Sequence, residues 1–194
     1  GARELLTEGL HSRIAIFFTN PITILVIYIL GLYGLYLTNL FGSLMSSHIG
    51  HIAMTTHFLV SGLLLAYVAI GIDPKPRPLP YWARMILVLA AIILHTFFAV
   101  VMMASTTLIG ASWYSLVRPP WLTDPVRDSM LGGQIAWGIG EVPTLIMMII
   151  IGVQWARSDE RESKRRDRFT GTHGDTEMDD YNAYLSKLNE RADK

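Results

Sequence analysis

The sequence predicts an all-α integral membrane protein with four transmembrane helices, and three observations lead there. Asp, Glu, Lys and Arg are absent from residues 14–72 and 85–117, and between 129 and 156 the only one is Glu141. Hydrophobic residues make up 51% of the 194, and only 16% are charged. The apolar runs that result match the roughly 20 residues a helix needs to cross a bilayer, whereas a helix at a soluble surface would carry charge along one face.

In chain order, residues 1–19 read as an interfacial amphipathic segment. Leu5, Leu6, Leu10, Ile14, Phe17 and Phe18 recur near helical spacing, against Arg3, Glu4, Glu8, His11 and Arg13. Asn20 is placed to cap a helix with Pro21 at its first position. The first span is expected at about 21–40, with Gly31 and Gly34 making a face that another helix can approach closely. A polar turn around residues 42–47 leads to the second span, about 48–72. Residues 73–80 hold four prolines and cannot be helical. The third span is expected at about 81–110. A connection follows at 111–130, with Trp113, Tyr114 and Trp121 as interface anchors and Pro119-Pro120 as a breaker. The fourth span is expected at about 132–155, kinked by Pro143. The tail from 157 to 194 carries nine basic and ten acidic residues and reads as solvated, without order through 171–174. Asp179 and Asp180 can cap a short last helix with a Tyr181, Leu185 and Leu188 stripe. Three segments result: interfacial 1–19, transmembrane 20–156 and polar tail 157–194.

Arginine and lysine fix the expected orientation. Six of them stand in 157–168 just after the fourth span, and Lys75, Arg77 and Arg84 follow the second. The first connection has none, and the third has only Arg118 and Arg127. Both termini and the 73–80 loop are therefore expected in the cytoplasm, with His48 and His51 at the outer face. Glu4, Glu8 and Arg13 interrupt the opening segment, so no cleavable leader is expected there, and the start at Gly1 suits a piece of a longer protein.

Several functions are disfavoured. Sixteen basic and sixteen acidic residues balance, giving no pull toward nucleic acid. The absence of cysteine removes disulfides and thiolate metal sites. There is no phosphate-cradling glycine loop and no serine or cysteine nucleophile with a base, and Gly138-Ile-Gly140 lies in a membrane helix as a packing feature. The chain reads as a non-enzyme.

The chemistry gathers in Ser47-His48-Ile-Gly-His51-Ile-Ala-Met54-Thr-Thr-His57. His48, His51, Met54 and His57 succeed one another at i, i+3, which makes a slanting ridge on one helix. Polar ionisable groups at membrane depth are costly unless partnered, so they are functional candidates. The positive end of the helix dipole disfavours imidazolium at His48 and His51, and neutral imidazole is the metal-binding form. The third span adds His95 and Met102, expected to approach the ridge with Met102 near the depth of His57. Imidazole with thioether and no thiolate suits copper, Cu(I) above all. Glu141 is the lone carboxylate within a span and shares a helix side with Gln134 and Trp137. The competing reading makes the methionines packing residues, His57 and Glu141 interhelical hydrogen-bonding groups, and Asp124 and Asp128 solvated caps.

The segment from Ser47 to His57, followed by Gly71-Ile-Asp73-Pro74, resembles the CtaG family of cytochrome c oxidase assembly proteins. The likeness continues through His95-Thr-Phe-Phe-Ala-Val-Val-Met102, Trp113-Tyr114, Gly132-Gly133-Gln-Ile-Ala-Trp137-Gly-Ile-Gly-Glu141-Val-Pro143, Gln154-Trp155 and Asp180-Tyr181-Asn182. It is greatest to actinobacterial proteins in which such a domain follows a CopD-like copper-resistance domain. The resemblance implies a bacterial plasma-membrane protein that binds or relays copper for a haem–copper oxidase, with a link to copper resistance. Its partners would be lipids, oxidase subunits or other copper-handling membrane proteins. His48, His51, Met54, His57, His95, Met102 and Glu141 would then be the metal-linked set. The family usually has about seven spans, and Ala99 and Ser129 stand where glycine and glutamine are expected. Two other functions fit the residues: a b-type haem electron carrier ligated by His57 and His95, or a copper or proton permease using Glu141.

Overall fold

A computed structural model describes residues 12–72, 78–117, 119–173 and 176–192. These residues form eight α-helices and no strand: α1 (Arg13–Phe18), α2 (Pro21–Ile29), α3 (Leu40–Met45), α4 (His48–Ile70), α5 (Tyr81–Ala104), α6 (Ala111–Val117), α7 (Pro125–His173) and α8 (Thr176–Ala192). Residues Leu30–Gly34 continue α2 as a π-helical turn. Three helices are long and apolar enough to cross a membrane: α4, α5 and α7 within Pro125–Thr170; Pro21–Gly34 is a shorter apolar helix.

Local chemistry explains most helix ends. Asn20 Oδ1 accepts from the backbone N–H of Ile22 at 2.9 Å and Thr23 at 3.4 Å, with Pro21 at the first position, as expected from sequence. Ser47 Oγ accepts from Gly50 N–H at 3.0 Å and starts α4. Gly71 closes α4 in the left-handed conformation at φ 72°, which a glycine adopts without the steric cost of a Cβ. Arg84 then ties the start of α5 to the end of α4: its Nε donates to the Leu79 carbonyl at 2.8 Å and its Nη1 to the Ile70 carbonyl at 3.2 Å. A cation at the C-terminal end of α4 also meets the negative end of its dipole.

Several boundaries differ from the sequence expectation. The first apolar helix breaks after residue 36, and the supposed polar turn at 42–47 is largely the helix α3, whose Phe41 is buried. The second helix ends at Ile70, two residues early, because Gly71 turns the backbone. The third ends at Ala104, where Ser105 and Thr107 hydrogen-bond to each other's neighbourhood instead of continuing the helix. The fourth is far longer than 132–155. It starts at Pro125, where Asp124 Oδ1 caps the Arg127 N–H at 3.0 Å, and continues to His173. Helix therefore replaces the expected lack of order at 171–173, and Glu160–Lys164 and Glu162–Arg166 pairs at i, i+4 support it. The last helix begins at Thr176, ahead of Asp179. Expectations for residues 1–11 and 73–77 lie outside the described residues.

Residues 1–152 form one compact unit and 153–194 another. In the first, successive long helices alternate direction. Residue pairs along the chain fix the register: Gly31 faces His57 between α2 and α4, while Met102 meets Gly133 and His95 meets Gly140 between α5 and α7. Ile24, Leu65, Val68, Ala69, Leu87, Val88, Ala91, Met147 and Ile151 make one buried cluster at the end where α2 and α5 begin. An aromatic cluster of Tyr33, Tyr36, Phe41, Phe58, Phe98 and Tyr114 fills the opposite end. Ile22, Leu59, Phe97 and Ile139 are each more than 60% exposed on the outside. Against lipid that exposure costs little, so the bundle is held by close packing and interhelical hydrogen bonds more than by hydrophobic burial.

Candidate functional site

Two polar sites lie inside the bundle, on different helix pairs. The first is built on α4. Its His57 ring sits edge-on to Phe58 at 5.7 Å, and its Nε2 is buried with no hydrogen-bond partner. Nε2 faces Gly31 on the π-helical turn, where an added Cβ would lie 2.5 Å away. Only glycine lets the imidazole in. Met54, one turn earlier, lines with His57 a cavity of about 320 Å³, walled by Leu30, Gly31, Leu35, Leu40, Leu44 and Ala53. An unpartnered buried nitrogen is uncommon, because losing water without a replacement costs about 1–3 kcal/mol. An imidazole nitrogen and a thioether on one apolar wall offer two soft-to-borderline donors.

The second site joins α5 to α7. Glu141 Oε1 accepts from the Thr96 hydroxyl at 2.6 Å and from Trp137 Nε1 at 2.9 Å. His95, the neighbour of Thr96, rests its ring on Gly140, which has no Cβ to collide with it. Thr144 donates to the carbonyls of Gly140 at 3.0 Å and Glu141 at 2.9 Å, and α7 passes through Pro143 without ending.

The other candidates stand apart from these sites. His48 and His51 are exposed on the first turn of α4. Met102 packs on Gly133 and lines a cavity of about 240 Å³ with Tyr36, Phe98, Tyr114 and Asp128. His57, which faces Gly31 just before Tyr33, is level with Leu94 and His95, since Tyr33 donates to the Leu94 carbonyl at 2.7 Å. Met102 is therefore about two turns beyond the depth of His57 rather than beside it. Among the described residues, no group of three or more His, Asp or Glu side chains gathers closely enough to hold a metal ion. The expected metal-linked set is thus spread over an exposed histidine pair, His57 and Met54 on one cavity wall, His95 and Glu141 on the facing helices α5 and α7, and Met102 apart from them.

Sequence reasoning placed Trp137 on the side of Glu141 and read Gly138 and Gly140 as packing residues; Trp137 and Gly140 stand so, whereas a Cβ on Gly138 would meet nothing within 4 Å. It missed Thr96, a carboxylate partner signalled only by being a hydroxyl beside His95 in an apolar run. It also missed that Gly31 and Gly140 are the two seats for histidine rings.

The family model for the cytochrome c oxidase caa3 assembly factor matches residues 1–158. Uncharacterised proteins of Mycobacterium bovis and Mycobacterium tuberculosis are each 42% identical to the chain over 189 residues. One of Mycobacterium leprae is 40% identical over the same length. These alignments cover 97% of the chain but 29% of each relative, so the chain spans less than a third of the curated relatives it matches. No solved structure matches it.

Proposed function

The chain belongs to the cytochrome c oxidase caa3 assembly factor family, and from that premise we propose that it hands Cu(I) to an oxidase subunit within a bacterial plasma membrane. The observation that carries this reading is the buried, unpartnered Nε2 of His57, a residue that lines one apolar cavity together with Met54. Cu(I) accepts low coordination numbers and soft donors, and an incomplete shell of two protein ligands leaves room for exchange with a partner. His48 and His51 serve as an exposed capture pair on the first turn of α4, within about two turns of Met54 in the cavity wall. His95, Met102 and Glu141 act on a second helix pair and supply the path or the proton balance of the transfer.

In this reading the helix Pro21–Gly34 with its continuation to residue 36 is the first of four spans. At about 1.5 Å per residue its sixteen residues cover about 24 Å, short of a 30 Å core, and α3 extends the apolar path. Both termini face the cytoplasm, following the basic residues after α7 and near the start of α5. The oxidase and other copper-handling membrane proteins are the partners.

Anaerobic titration of the purified protein with Cu(I) against a chromophoric competitor tests it. One Cu(I) per chain is expected, with binding weakened by at least roughly tenfold in His57→Ala and in Met54→Ala. His48→Ala/His51→Ala should slow loading and leave the final stoichiometry intact. Equal affinity in wild type, His57→Ala and Met54→Ala would overturn the reading.

A further inference from the structure

The unit of residues 153–194 holds a feature that copper transfer does not use. Arg157, Arg161, Lys164, Arg165 and Arg168 follow at i, i+4, i+7, i+8 and i+11 along α7. At about 100° per residue all five fall within an arc of about 100°. Asp159, Glu160, Glu162 and Asp167 all lie outside that arc. Every member of the stripe is exposed. Glu160 holds Lys164 at 2.6 Å, and Glu162 faces Arg166, which is off the stripe, at 3.6 Å. Among the described residues no carboxylate comes within ion-pair distance of Arg157, Arg161 or Arg165. Arg161, Lys164, Arg165 and Arg168 line a groove of about 260 Å³. Phe169, 63% exposed, borders the adjoining concavity with Arg161 and Arg165.

A face this basic fits phosphate-bearing ligands, since guanidinium groups bind phosphate oxygens in pairs. Its position in the chain selects the source. The stripe starts two residues after Trp155, which ends the apolar run and is of the type that settles at headgroup level. An acidic protein would have no reason to require that adjacency. We propose that Arg157, Arg161, Lys164, Arg165 and Arg168 form a docking face for anionic phospholipid headgroups at the membrane surface where α7 leaves the bilayer. The proposal needs α7 to cross a membrane and is independent of copper. It also differs from a simple count of positive charge, because Arg166 adds to the count and not to the face.

The full chain is reconstituted in phosphatidylcholine bilayers with trace spin-labelled phosphatidylglycerol or phosphatidylcholine, and the motionally restricted fraction of each label is measured. Wild type should favour phosphatidylglycerol by roughly fivefold, the scale of one basic residue at an anionic surface. Arg161→Gln/Arg165→Gln should bring the ratio close to one. Arg166→Gln/Arg191→Gln, which removes the same charge off the stripe, should leave it nearly unchanged. Millimolar inorganic phosphate should not displace the labelled lipid, whereas high salt should. No preference in wild type, equal loss in the two double variants, or displacement by phosphate would each overturn the proposal, the first in favour of an acidic protein partner.

Discussion

His57 shows how one missing methyl group sets the chemistry of a membrane interior. Its imidazole occupies the space that a side chain on residue 31 would take. Gly31→Ala should therefore destabilise the bundle by about 1–3 kcal/mol, as overpacked cores do. Adding His57→Ala to that variant should recover part of the loss, because the clash partner is gone. Unfolding followed in mixed micelles would show both, and additive losses would contradict the contact. A second residue reports on pH. Burial pushes the Tyr114 phenol above its ordinary value of about 10, and the Asp128 carboxylate adds to the shift. The folded protein then keeps the phenolic proton at a pH where the unfolded chain has released it. Stability from this group is present below about pH 10 and falls as pH climbs toward the folded value. Asp128→Asn should lower the phenol midpoint seen by ultraviolet titration. These residues were only partly legible beforehand. His57 and Glu141 stood out because ionisable groups are rare in apolar runs, but their seats, Gly31, Gly140 and Thr96, look like any other small residue in a membrane helix.

At the scale of elements, charge-free runs located the helices well, and local capping chemistry explains where the ends were misjudged. Asn20-Pro21 was readable because both residues act on the backbone next to them. The end of α4 was not, since Ile72 is as apolar as Ile70 and only the backbone of Gly71 ends the helix. Gly71→Ala should cost about 1–2 kcal/mol from the left-handed conformation alone. Hydrogen exchange should show the strongest loss of protection at the amide of residue 71, which donates to the Tyr67 carbonyl, and in the last turn of α4, and uniform loss along α4 would count against this cause. The long helix α7 escaped sequence reasoning for a different reason. Hydropathy ends at Trp155, whereas the helix is continued by Glu–Lys and Glu–Arg spacing that hydropathy does not register.

For the whole molecule, direction and register follow from a few contacts between distant residues. The apolar cluster at one end and the aromatic cluster at the other leave the polar sites between them. Neither cluster could be read from the sequence, because in a lipid-facing protein inward and outward residues are equally apolar. The division of the metal candidates among helix pairs escaped for the same reason, since spacing along α4 says nothing of what stands across from it. The π-helical turn at Leu30–Gly34 sets the phase between the two halves of the first apolar helix. A turn closed at i+5 holds one residue more than an α-turn, so it shifts the phase of the helix by about 100°. Tyr28, which packs against the lower cluster, and Tyr33, which bonds to α5, are five residues apart and yet share a side. The turn thus adds the phase of one extra residue to the helix. Deleting one residue within it would regularise the helix while turning Ile24 and Tyr28 away from the cluster they pack in, so a straighter helix would be the weaker protein.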